Sequence, residues 1–134
     1  MKAKMIIGIA CALLLITGIV AIKVNYIDTS FATEVSIRFH HNNSAIDITV
    51  TDSDDIKVIL RNLRGVSHKD MPSCPFSFDT SITITDGKNS LTFCPACDNC
   101  GQARIGDSNR YITIKDKKAL EVVLGKYGFY FPCV

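Results

Sequence analysis

No catalytic signature is written in this chain. It holds no G-x-S-x-G, no G-x-x-x-x-G-K-[ST] and no H-E-x-x-H. Those are the usual marks of the nucleophile elbow, the phosphate-binding loop and the helical zinc-protease site. Serine, histidine and aspartate are plentiful, yet no spacing joins them into a triad, so no catalytic residue, no enzyme activity and no cofactor are expected. An excess of one charge is missing too. The formal net charge is +2, from 15 Lys and Arg against 13 Asp and Glu. Lys2, Lys4 and Lys23 all flank one apolar run, and without them 12 basic residues face 13 acidic ones. No basic patch is left for a phosphate backbone, which argues against nucleic acid as a partner.

The third absence carries the most information. Residues 5–22 contain no charge at all. As a helix that run is about 27 Å long at ~1.5 Å per residue, close to the ~30 Å hydrocarbon core of a bilayer. It also lacks the polar face that a helix lying on a soluble core would show. A cleaved signal peptide is the rival reading, but its apolar segment is usually about 7–15 residues and ends at a small-x-small site. Here the nearest such site is Ser30-Phe31-Ala32, well past the run. Cys11, after Gly8-Ile9-Ala10, is a weak lipoprotein signal because apolar residues continue beyond it. The basic leader puts the short end in the cytoplasm by the positive-inside rule. The expected organisation is a cytoplasmic leader over 1–4, a transmembrane anchor over 5–23, a linker over 24–33 and an extracytoplasmic domain over 34–134. That is a single-pass protein of the cell membrane.

The outer stretch alternates and then changes period. Val35, Ile37 and Phe39, then Ile46, Ile48 and Val50 beyond Asn42-Asn43, read as a hairpin with one buried face. Ile56, Ile59, Leu60 and Leu63 follow helical spacing, with Asp52 or Ser53 as cap and Gly65 as stop. Asp54 and Asp55 fall in the first turn, where the helix dipole favours them without any catalytic role. A loop with two prolines follows. "SITIT" and "SLTFC" around "DGKN" give a second hairpin, and "QARI" and "RYITI" around "GDSN" a third. Asp116 caps a last helix with Leu120, Val123, Leu124 and Tyr127 on its apolar face and Gly128 at its end. Residues 48–60 also align without gaps on 112–124, each a strand, a capping aspartate and an amphipathic helix. The expected domain is α+β, an antiparallel sheet of three hairpins with two helices in the order β-β-α-β-β-β-β-α. The apolar "FYFPCV" end is expected to pack down.

Five cysteines lie beyond the apolar run: Cys74, Cys94, Cys97, Cys100 and Cys133. An odd number cannot all pair within one chain. Cys97 and Cys100, with Gly101 behind them, have the C-x-x-C-G form of a zinc knuckle. Cys94 adds a third thiolate, and Cys74, Cys133 or His68 could complete a tetrahedron. Zinc at Cys94, Cys97 and Cys100 is therefore the alternative reading. Cys94-Pro95-Ala96-Cys97 resembles the thioredoxin C-P-x-C, but no helix follows to lower a thiol pKa. Structural disulfides fit an oxidising location best. Cys74 and Cys133, both beside proline and aromatics, are the expected pair. His40 and His41 sit at a hairpin tip on opposite strand faces and do not suit one shared metal.

"CPF" at 74–76, "DNCG" at 98–101 and "YGFYFPC" at 127–133 together resemble small bacterial membrane-anchored extracytoplasmic domains that carry no assigned activity. The resemblance covers roughly the C-terminal 60 residues. It implies location on a single anchor and no chemistry, and Cys94 and Cys97 fall outside its pattern. The function expected from the whole reading is binding, of a partner protein or a small ligand. Metal binding or thiol–disulfide exchange at Cys94–Cys100 is the alternative.

Overall fold

The structure is a computed structural model that describes residues 2–70 and 72–133. Its first element, α1 (Lys2–Asn25), is 24 residues long. Along it, the side chains described are those of residues 6–20 and of Asn25. Leu13, Leu14, Leu15 and Ile16 point in four successive directions around the axis, and all are more than half exposed. Among the described residues, no helix is long and apolar enough to cross a membrane. The described apolar stretch of α1 is about 22 Å long at ~1.5 Å per residue, short of the ~30 Å core. The expected transmembrane span is thus not carried by these residues alone.

The α+β class holds, with helices beside antiparallel sheets. After α1 come β1 (Tyr26–Ile27), β2 (Glu34–His41), β3 (Ser44–Val50), α2 (Ser53–Asn62) and β4 (Gly65–Val66). Then follow β5 (Thr80–Thr85), β6 (Ser90–Pro95), β7 (Gln102–Ile105), β8 (Tyr111–Thr113) and α3 (Lys117–Lys126). The finer expectation of three hairpins needs correction. β2 also pairs with β5, and β6 with β7, so the six strands form one sheet in the order β3-β2-β5-β6-β7-β8. β1 and β4 form a separate two-stranded ladder. Both lie where a linker and a loop were expected, because two residues are too few to show an alternation. Within the stretch 24–33, Ile27, Thr29 and Ala32 are buried.

Alternation decides which sheet face meets the helices. Val35, Ile37 and Phe39 are buried on the inner face, and they cluster with Ile82, Ile84 and Phe93 from the middle strands. Ile59 of α2, Leu63 at its C-cap, and Leu120, Val123 and Leu124 of α3 complete this core. Each large apolar side chain fully buried there contributes about 1.5–3 kcal/mol. The two strand–cap–helix units are built alike. Asp52 accepts from the N–H groups of Asp54 and Asp55, and Asp116 from that of Ala119.

Polar contacts tie the helices together. The buried Asp55 carboxylate accepts from Lys126 Nζ at 2.6 Å and from the Tyr127 hydroxyl at 2.9 Å. The bonded Lys126 ammonium holds the Asp55 carboxyl below its ordinary pKa. Burial, and then the bond to Asp55, pushes the Tyr127 hydroxyl up to about 12. Asn62, fully buried, donates to the Val58 carbonyl and accepts the Asp116 N–H at 2.7 Å. One side chain thereby fixes the end of α2 against the cap of α3.

Gly128 ends α3 at φ +81°, and a Cβ there would lie 2.8 Å from Ile46 Cδ1. Glycine meets both the left-handed backbone and the close approach. The tail then turns inward as expected, with Phe129 and Phe131 buried and the Phe39 and Phe129 rings 5.0 Å apart.

Candidate functional site

The outer face of the sheet divides in two. Over β7 and β8 it is covered by the segment between β4 and β5. His68 exchanges backbone hydrogen bonds with Tyr111, both at 2.9 Å. The Phe76 ring stands 5.4 Å from that of Tyr111, and the Arg104 guanidinium lies 5.1 Å from the Phe78 centroid. Over β2 and β3 the outer face is bare and polar. Ser36 faces Thr49 and Arg38 faces Asp47 across the ladder. Arg38 Nε donates to Asp47 Oδ1 at 3.0 Å, and His40 Nε2 lies 2.7 Å from Asp47 Oδ2. Ser36, Ile37, Arg38, Asp47, Ile48 and Thr49 line a shallow groove of about 240 Å³ at this edge. His41 turns instead to the ring of Tyr130, so the two histidines do diverge as the strand pleat requires.

The cysteine stretch sits at the covered end. β6 runs out at Pro95, and the chain turns back through Asp98 and Asn99 into β7. Asn99 and Gly101 take positive φ of 51° and 84°, and Asp98 Oδ1 accepts the Cys100 N–H at 3.2 Å. Cys100 is bonded to Cys74, with Cα atoms 6.6 Å apart. The expected Cys74–Cys133 bridge is thereby corrected. The covering segment brings Cys74 to the β6–β7 turn, while the C-terminal tail meets a different cysteine. The bridge staples the covering segment to that turn.

The other two cysteines of the stretch look elsewhere. Cys94 lies on the covered outer face opposite Arg104 and is fully buried. Burial pushes its thiol pKa up, against the pull of Arg104. Cys97 is buried in the turn, its Sγ 3.7 Å from Thr80 Oγ1. Burial pushes this thiol up as well; Thr80 opposes the shift and Cys133 adds to it. Both shifts run against the lowered pKa a reactive dithiol needs. The zinc set Cys94, Cys97 and Cys100 is not brought together. Among the described residues, the group whose ligand atoms lie within 4.8 Å of one another is Cys74, Asp98 and Cys100. Its two sulfurs are bonded to each other and are not thiolates.

Asp54 and Asp55 do not form a carboxylate pair. Asp54 pairs with Lys57 at 2.9 Å in the first turn of α2, and Asp55 belongs to the helix contact. Sequence reasoning missed Arg104 beside Cys94 and Thr80 beside Cys97. Neither carries a local signal, since each meets its cysteine only through strand pairing or chain reversal. No family model, no curated protein and no solved structure matches this chain.

Proposed function

We propose that the protein is a single-pass membrane protein whose disulfide-stapled α+β domain lies outside the cytoplasm and binds another protein. One observation carries this reading. Over residues 6–20, α1 is apolar and exposed around its circumference, and the helix runs without a break into a domain closed by the Cys74–Cys100 bond. A bare apolar helix is stable only in lipid or against another apolar surface. A structural disulfide belongs to an oxidising compartment. The backbone of α1 is about 36 Å long at ~1.5 Å per residue, enough to reach across a bilayer when the whole helix is counted.

The partner side is the β3 edge. Among the described residues, the edge strand β3 pairs with β2 alone, and it contains no proline. Its open backbone can take up an extended segment of another chain, the mode known as strand addition. The Arg38–Asp47 pair and the hydroxyls of Ser36 and Thr49 beside it favour a segment with mixed polar side chains. Metal binding or thiol exchange at Cys94–Cys100 is the weaker reading, because two of the three thiols are buried with raised pKa and the third is bonded.

The test is made on intact cells expressing the full chain with a photoreactive side chain at Thr49, or at Lys118 on α3 as control. External protease is expected to remove the domain. A crosslinked protein is expected at Thr49 and not at Lys118. Protection of the domain until the cells are lysed refutes the topology, and equal capture at both positions refutes the β3 edge.

A further inference from the structure

The C-terminal tail ends on a second thiol pair. Cys133 N–H donates to the Cys97 carbonyl at 3.1 Å, and the Cys133 thiol adds to the upward push on the Cys97 pKa. Both are free thiols, Cys97 buried and Cys133 exposed. That single backbone bond joins the peptide groups attached to the two Cα atoms, and a disulfide spans Cα atoms ~4.4–6.8 Å apart. The surroundings are fixed from three sides. The Cys97 N–H donates to the Pro75 carbonyl at 2.8 Å, next to the bridged Cys74. Thr80 holds the Cys97 sulfur. Phe129 and Phe131 anchor the tail in the core.

We propose that Cys97 and Cys133 are a modification site that closes to a second disulfide by exchange with a small external disulfide such as oxidised glutathione. Cys133 is the entry thiol because it alone of the two is exposed. Its thiolate attacks one sulfur of the external disulfide, forms a mixed disulfide and releases one thiolate. The Cys97 thiolate then attacks the Cys133 sulfur, forms the Cys97–Cys133 bond and releases the second. The two protein thiols are oxidised by two electrons, the external disulfide is reduced to two thiols, and the two protons lost by the protein end on them. The raised pKa of Cys97 keeps its thiolate scarce and slows the second step, so closure relies on the Cys133 backbone already being bonded to that of Cys97. Closure would leave Cys94 as the single unpaired cysteine outside α1, resolving the odd count.

The test uses the full chain in detergent, incubated with oxidised glutathione, then denatured in alkylating agent and counted for free thiols. Of the six cysteines, two bridges leave Cys11 and Cys94 free. Cys133→Ser then exposes Cys97, so the count rises by one. Without the second bridge, the same variant lowers the count by one. Cys11 is common to both proteins and does not affect the sign. Peptide mapping of the unreduced wild type is expected to show the Cys97 peptide joined to the Cys133 peptide. A fall in the count overturns the proposal, as does glutathione retained on Cys133 with Cys97 alkylated, or Cys97 joined to any other cysteine.

Discussion

Replacing both Cys74 and Cys100 by serine removes the bridge without leaving a lone thiol, and the structure sets how much that should cost. The bridge joins positions 26 residues apart. The chain-entropy relation for a loop of that length gives about 3.5 kcal/mol of stabilisation at 25 °C. That energy acts through the denatured chain, so it appears in full only if the covering segment unfolds with the rest of the domain. The contacts of that segment argue that it does. His68 adds to the β8 edge through two backbone bonds, and the Phe76 ring packs on Tyr111, itself a buried strand residue.

For a domain of about 100 residues, 1 kcal/mol moves the melting temperature by about 4–8 °C, so the shift expected is about 14–28 °C. The assay is thermal unfolding of wild type and the double variant by circular dichroism, with both repeated under reductant. Under reductant, the wild type should melt with the equally reduced variant. A local readout accompanies the global one. Cys94 lies on the covered face and should resist alkylation in the folded wild type, whereas the variant should react faster as the segment opens. If the variant melts with the oxidised wild type while Cys94 stays protected, the bridge is a bystander and the stapling argument fails.

The remaining expectations concern the core and the helix contact. Leu124→Ala should cost about 2–5 kcal/mol in urea unfolding, as fully buried leucines do; Leu60→Ala should cost clearly less, because Leu60 is only half-buried, and equal losses would sink the assigned packing. Asp55, whose folded pKa is depressed, contributes stability that is fully present above its ordinary value of 3.8 and is lost as pH falls through the lower folded value. An acid titration of stability should therefore flatten in Asp55→Asn below about pH 4, and an unchanged acid limb in that variant would remove Asp55 from the account.

What the sequence showed plainly was whatever repeats on a short period. The alternation of Val35, Ile37 and Phe39 specified an inner face because every second residue of a strand points the same way. Asp52 and Asp116 were legible as caps because a cap acts within three residues. The helical stripe of α2 was read one notch too broadly. Ile56, Ile59, Leu60 and Leu63 all lie on it, but only Ile59 and Leu63, at its centre, are fully buried, while its flanks face the rim. The joining of three hairpins into one sheet was not legible. The β2–β5 and β6–β7 pairings are set by how whole strands pack, and no residue in either pair announces its neighbour.

The cysteines show the same limit at closer range. Cys94, Cys97 and Cys100 are three apart in sequence, and a chelating loop would turn all three sulfurs to one point. Here the chain changes direction between them. Cys94 is still in β6 and obeys the strand pleat, so it faces Arg104 across the ladder. Cys97 is past the end of the strand, and the turn sets its sulfur against Thr80 and its carbonyl against the Cys133 N–H. Cys100 follows the left-handed Asn99, which reverses the backbone once more and presents it to Cys74. Even spacing thus becomes three separate directions, because a strand, a turn and a left-handed residue each rotate the next side chain differently. What looks like one ligand set is a junction where the covering segment, the β6–β7 turn and the C-terminal tail each arrive with a cysteine. A metal site would need the turn to be remade, whereas the Cys74–Cys100 bridge is already part of that junction.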